Sequence, residues 1–200
     1  MGSSERTSKR SVTIKIIDRK TLYSGYLTIE SVKVRLPDGT EILREVESHG
    51  EAVTVLPYDP MRRCALTASL FRAPVFAVSG RETLEEPCAG MIDQGEDAAT
   101  ALRREAQEEL GVVLSELEFI GRIYSTPGVS TERVSLYLAP YSLADRTGAG
   151  GGAPGEQENI TVNERSLASL SEDLDAARLD NALLLQLVMA LRLRHPELFR

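Results

Sequence analysis

Between Gly90 and Gly111 small or apolar residues recur at helical spacing: Ala98, Ala99, Ala101, Leu102, Ala106 and Leu110 fall three, four or five positions apart among charged ones. The spacing predicts one amphipathic helix of roughly 13 residues, closed by Gly111 just past its end. Such a helix must lay its apolar stripe on another element, so the chain needs a second layer. On a helix turning ~100° per residue, Glu105 and Glu109 lie ~40° apart, and Glu108 lies ~60° to the other side of Glu105. Three carboxylates therefore crowd one face. Like charges at these spacings repel by roughly 0.2–0.5 kcal/mol per exposed pair. A solvated acidic face is one reading. Against it, Leu110 to Val113 carry no positive charge at the following positions, so the cations must come from elsewhere. Hard divalent ions such as Mg²⁺ take carboxylate oxygens and bridge to substrate phosphates. Gly90 and Gly111 would permit tight turns at both ends of such a site.

Around this helix the first half of the chain reads as short strands. Val32–Leu36 alternates apolar and basic residues, Pro37-Asp38-Gly39 supplies a turn, and Glu41–Val46 follows, which is a hairpin signal. Val53–Leu56, Cys64–Leu70 and Val75–Val78 are further expected strands, and Glu118–Tyr124, Val134–Tyr141 and Asn159–Val162 follow the helix. Gly148–Gly155 is too rich in glycine to hold one conformation alone, so a mobile loop is expected there. Ser166–Arg194 is expected to form two helices, with Asp180-Asn181 capping the second and Leu183, Leu184, Leu187, Val188 and Leu191 on its apolar face. The expected organisation is a disordered tail over 1–10, an N-terminal β extension over 11–50, and a main domain over 51–200.

The composition closes off several functions. Twenty-three Lys and Arg against 30 Asp and Glu give a net charge of −7, with no basic run, which excludes capture of nucleic acid or of an anionic membrane surface. No apolar stretch reaches the ~20 residues that span a bilayer, and the first ten lack a signal-peptide core. Cys64 and Cys88 have no CxxC spacing and are expected as buried thiols, so a cytoplasmic location fits. Two histidines, His49 and His195, leave no material for an HExxH site. GxSxG and P-loop motifs are absent.

From Gly90 the chain reads glycine, five residues, Glu96, seven residues, Arg104-Glu105, an apolar residue, any residue, Glu108-Glu109, any residue, Gly111 and an aliphatic. This pattern resembles the complete box of the Nudix hydrolases. The resemblance implies an α+β fold, an α/β/α sandwich with a mixed sheet, here with an N-terminal antiparallel β-sheet extension. It further implies Mg²⁺ or Mn²⁺, two or three ions per site, held by Glu105 and Glu109, with Glu108 and the carbonyl of Ala89 contributing. Arg104 and Glu96 are expected as a structural ion pair that fixes the loop to the helix.

Outside the box, Arg44-Glu45-Val46, Phe71-Arg72, Glu86-Pro-Cys-Ala-Gly90 and Ser125-Thr-Pro-Gly-Val-Ser-Thr-Glu132 resemble the branch that contains ADP-ribose and GDP-mannose pyrophosphatases. That branch hydrolyses the diphosphate of a nucleoside diphosphate sugar. By resemblance Arg44, Glu45 and Arg72 would contact the nucleotide or its phosphates, and Thr126, Pro127, Gly128 and Glu132 would line the sugar side. An ordinary ion pair for Arg44 and a plain turn at Pro127-Gly128 are the structural alternatives. Glu156, after the glycine-rich loop, is the expected general base and Glu158 a further metal ligand. Members of the branch resemble one another in forming homodimers through the N-terminal sheet. The competing functions are a non-catalytic ADP-ribose-binding module and a hydrolase for another nucleotide class. All the box glutamates are kept, which weighs against the first. Pro127 and the long β-rich start weigh against the second.

Overall fold

The computed structural model describes residues 13–153 and 159–200. The expected disordered tail, 1–10, lies outside the described residues. The chain divides into two compact units, one made of the residues up to His49 with Thr126–Glu132, the other of Gly50–Ser125 with Arg133–Arg200.

The first unit is a three-stranded antiparallel sheet of β1 (Lys15–Ser24), β2 (Thr28–Arg35) and β3 (Glu41–Ser48), in that order. The expected hairpin joins β2 to β3. Gly39 sits at φ 92°, where a side chain would be strained, and Asp38 accepts a hydrogen bond from the Thr40 N–H at 2.9 Å. Val32 is buried, whereas Ile16, Leu22, Tyr23 and Leu43 are exposed. The Thr126–Glu132 segment runs beside the end of β3: the Glu47 N–H donates to the Val129 carbonyl at 2.8 Å, and the Thr131 N–H donates to the Glu47 carbonyl at 2.9 Å.

The second unit is built on a mixed sheet. Its principal strands are β4 (Glu51–Asp59), β5 (Cys64–Leu70), β8 (Glu118–Tyr124), β9 (Arg133–Pro140) and β10 (Thr161–Ser166), in the order β10-β5-β4-β9-β8. Two short strands join them, β6 (Leu84–Glu86) on β5 and β7 (Cys88–Met91) on β4. β4 and β9 are parallel, and the other pairs are antiparallel. β4 is buried at every residue after Glu51, because both faces of the sheet are covered. Val53 and Val55 point into one core with Ala101, Leu102, Ala106 and Leu110 of α2 (Ala98–Leu110). Ala52, Leu56 and Tyr58 point into the other, with Leu167 and Leu170 of α3 (Leu167–Asp175) and Leu184, Leu187, Val188 and Leu191 of α4 (Ala182–Arg194). This period of two across a strand makes the three layers helix, sheet, helix. Each leucine buried this completely contributes roughly 1.5–3 kcal/mol. Asn181 caps α4 through the Leu184 N–H at 2.9 Å. Cys64 and Cys88 are buried thiols. Among the described residues no helix is long and apolar enough to cross a membrane.

Two expectations change. Val75–Val78 lies in a helix, α1 (Ala73–Ser79), and is no strand. Pro74 in the first turn fixes a helical φ, and Gly80 at φ 72° closes the helix, so local signals outweigh β-branched propensity on an element that buries no residue. β10 starts at Thr161, two residues late, because Asn159 takes a positive φ of 48° that ends the loop. In the described part of the glycine-rich stretch, the Gly151 and Gly152 N–H groups donate to the Glu109 and Glu108 carbonyls at 2.9 and 3.1 Å, covering the C-terminus of α2.

Candidate active site

The site begins where β7 meets α2. α2 starts on Asp97, whose side chain accepts from the Thr100 N–H at 2.9 Å, and ends on Gly111 at φ 65°. Its apolar stripe rests on the sheet, which turns the acidic face toward β7. Glu109 is only 4% exposed, and its Oε2 accepts the Ala89 N–H at 3.1 Å. Ala89 itself is fixed opposite Thr54 of β4, and the Thr54 hydroxyl donates to the Cys88 carbonyl at 2.9 Å. Beside it, the Glu105 side chain lies directly on Gly90. A Cβ at position 90 would overlap Glu105 Cγ, Cδ and Oε1, so glycine is required here for close approach and not for an unusual φ.

Arg104 ties the cluster together. Its Nη1 donates to Glu105 Oε1 at 2.7 Å and Glu108 Oε2 at 3.2 Å, its Nε to Glu96 Oε1 at 3.3 Å, and its Nη2 to Glu96 Oε2 and the Met91 carbonyl, each at 3.2 Å. The pair with Glu96 holds the Asp93–Glu96 turn against the helix. The guanidinium keeps the Glu96 carboxyl below the usual carboxylate range, against a smaller opposing effect of burial. The positive charge missing from Leu110–Val113 is thus supplied from within the helix, by the residue next to Glu105 and one turn before Glu108.

This arrangement fits a divalent cation in donor chemistry: three carboxylates and a backbone segment offer hard oxygens, and a guanidinium already sits between two of them. Among the described residues no group of three acidic, histidine or cysteine side chains is placed to hold a metal ion by itself. Sites for Mg²⁺ commonly leave part of the coordination to waters and substrate phosphates. Glu156 and Glu158, the expected base and further ligand, lie outside the described residues.

The remaining predicted residues divide between the two units. Arg72, at the start of α1, donates from Nε and Nη2 to Glu86 Oε1 and Oε2 at 3.0 and 2.9 Å, a bidentate pair that aims its guanidinium. Glu86, 7% exposed, ends β6. Arg44 and Glu45 are exposed in the middle of β3, opposite Val32 and Ser31. Arg44 bonds the Leu43 carbonyl at 2.8 Å, not a neighbouring glutamate. Thr126, Pro127 and Gly128 form a turn in which the Val129 and Ser130 N–H groups donate to the Thr126 carbonyl at 3.0 and 2.8 Å. Glu132 follows, with its Oε1 2.9 Å from Nε2 of His49.

Sequence reasoning missed Glu86, His49 and Glu47. Glu86 opens the segment Glu86-Pro-Cys-Ala-Gly90, but nothing local shows that it orients Arg72. The His49 pairing spans 83 residues and leaves no trace in spacing.

A mixed sheet between helices, with a glutamate-bearing helix seated on a glycine strand, defines a class of hydrolase, and the family model described as NUDIX domain matches residues 48–181: the chain belongs to the Nudix family. Among its relatives, the ADP-ribose pyrophosphatase of Shigella flexneri is 31% identical over 190 residues, covering 92% of this chain and 90% of that protein. The GDP-mannose pyrophosphatase of Escherichia coli (strain UTI89 / UPEC) is 30% identical over 188 residues, covering 91% and 96%. A crystal structure of an ADP compounds hydrolase shares the fold with a TM-score of 0.76 at 20% identity, over 95% of this chain and 98% of that one.

Proposed function

We propose that this Nudix hydrolase is a Mg²⁺-dependent pyrophosphatase that cleaves the diphosphate bond of a nucleoside diphosphate sugar, ADP-ribose or GDP-mannose, to a nucleoside monophosphate and a sugar phosphate. The observation that carries this reading is the seating of α2 on β7, with Glu105 on Gly90 and Glu109 on the Ala89 N–H. The two named relatives, similar along nine-tenths of the chain, support the substrate class.

In this reading Glu105, Glu108, Glu109, Glu158 and the Ala89 carbonyl hold two or three Mg²⁺. Bound Mg²⁺ supplies charge against the diphosphate and lowers the pKa of water from ~15.7 toward neutrality. A net charge of −7 repels a diphosphate at long range, so local cationic groups must offset it. Arg72, held in a fixed plane by Glu86, and Arg44 donate to phosphate oxygens. Glu45 contacts the nucleotide. Thr126, Pro127, Gly128 and Glu132 face the sugar. The Glu156 carboxylate takes the proton of the attacking water.

Turnover of a panel of nucleotide sugars with Mg²⁺, ranked by kcat/KM, tests the reading. One of the two named substrates should lead. Negligible turnover of every one would refute it. Comparing Glu156→Gln with Glu158→Gln separates their roles: the first should lower kcat at unchanged Mg²⁺ affinity, and the second should weaken Mg²⁺ binding by calorimetry. The reverse pattern would exchange them.

A further inference from the structure

His49 follows the last residue of β3, and both of its ring nitrogens meet carboxylates. Nδ1 pairs with Glu47 Oε1, and Nε2 lies 2.9 Å from Glu132 Oε1. A neutral imidazole has one N–H and one lone pair, and a carboxylate can only accept. With a carboxylate at each nitrogen, only the imidazolium satisfies both bonds. The side chains of Glu47, His49 and Glu132 are 17%, 21% and 19% exposed, so water screens the triad weakly. The Tyr26 ring stacks on the imidazole with centroids 6.3 Å apart and planes at 22°. The Ser130 hydroxyl accepts the Glu132 N–H at 3.0 Å, and the backbone of Glu47 bonds to Val129 and Thr131.

Glu132 is thus held by a charged bridge to β3, and the turn at Thr126–Ser130 is held by the same strand. We propose that His49 is a positioning residue: as an imidazolium joining Glu47 to Glu132, it fixes the Thr126–Glu132 segment in the shape that receives the sugar side of a nucleoside diphosphate sugar. This rests on the function proposed above for that segment. Without the cation, two half-buried carboxylates would be left near one another and would repel.

The bridge has a definite pH sense. Its hydrogen bond to Glu47, together with the Glu132 pair, raises the His49 pKa above the ordinary histidine value, and burial opposes this. A raised pKa means that the imidazolium is present below the free histidine value and is lost as pH rises through the folded value, while the bridge also needs both carboxylates ionised and so fails again at acid pH. Within this unit the groups facing His49 are Glu47, Glu132 and Tyr26.

With two histidines in the chain, ring-proton NMR gives two titrations, and a His195→Gln variant assigns them. His49 should titrate above the free value of ~6.5, and Glu132→Gln should lower it by about half a unit or more. In kinetics, His49→Gln should raise KM for the nucleotide sugar roughly tenfold, the scale of one lost charge-assisted hydrogen bond, with kcat within about threefold. The unaltered enzyme should show a rise of KM at alkaline pH, and His49→Gln should flatten it. His49→Asn, which keeps a donor near Glu47 but loses the reach to Glu132, should behave like His49→Gln. A His49 pKa at or below the free value, or one indifferent to Glu132→Gln, would overturn the bridge. Unchanged KM in both variants would overturn its role. The titration needs no substrate, so it decides the bridge even if no nucleotide sugar is turned over.

Discussion

Gly90→Ala isolates the closest packing in the site. The backbone at Gly90 is not in the left-handed region, so alanine meets no conformational penalty and acts only through its Cβ, which would overlap Glu105 Cγ, Cδ and Oε1. Non-bonded carbons settle at about 3.5–4.0 Å, so the Glu105 side chain must withdraw by roughly 1.5–2 Å. The displaced atoms belong to the far end of a flexible side chain, which places the stability cost near the low end for small-to-large changes, about 1 kcal/mol. For a chain of this size that lowers Tm by only ~2–4 °C. Under the function proposed above, the same displacement of a metal-holding carboxylate is of the order that costs ~100-fold in rate. Steady-state hydrolysis of the preferred nucleotide sugar across a Mg²⁺ titration, with a melting curve beside it, reads both numbers. Placed in a Glu105→Ala background, Gly90→Ala should add almost nothing, because nothing remains to be displaced. A kcat within about threefold of the unaltered enzyme would refute the reasoning, as would an undiminished effect in the Glu105→Ala background.

Three further outcomes follow from the same geometry. Glu109→Gln keeps the acceptor for the Ala89 N–H and removes the charge, so the protein should fold normally and lose most activity; kcat at saturating Mg²⁺ within about threefold would refute its role as a ligand. Gly150→Ala would put a Cβ 2.8 Å from the carbonyl carbons of Glu109 and Leu110 at φ 71°, and a melting curve should show a drop of several degrees, since backbone cannot yield as a side chain can. The strain of a non-glycine left-handed residue adds roughly 1–2 kcal/mol. Arg104→Gln leaves Glu96, Glu105 and Glu108 without their shared cation, so added Mg²⁺ should raise its Tm more than it raises that of the unaltered protein; equal shifts would show that Arg104 does not screen the cluster.

What the sequence made legible was local. The span of α2, its closure at Gly111, the β2–β3 hairpin and the Asn181 cap each depend on residues within a few positions of one another, and all were readable. Val75–Val78 misled because β-branched residues read as strand, while Pro74 and Gly80 outside the window decided for helix. Contacts across long separations left no signature. The seating of Glu105 on Gly90 appears in sequence only as a glycine, and the bridge from His49 to Glu132 as two unrelated residues.

Arg104 gives the carboxylate cluster a resident counter-ion. Many small metal sites are held together by their metal, and such chains fall apart when it is removed. Here a guanidinium on the same helix already neutralises part of the repulsion among Glu96, Glu105 and Glu108. Folding and metal loading can then be separate events. The helix thus carries part of its charge compensation within its own sequence, without an ion from solution.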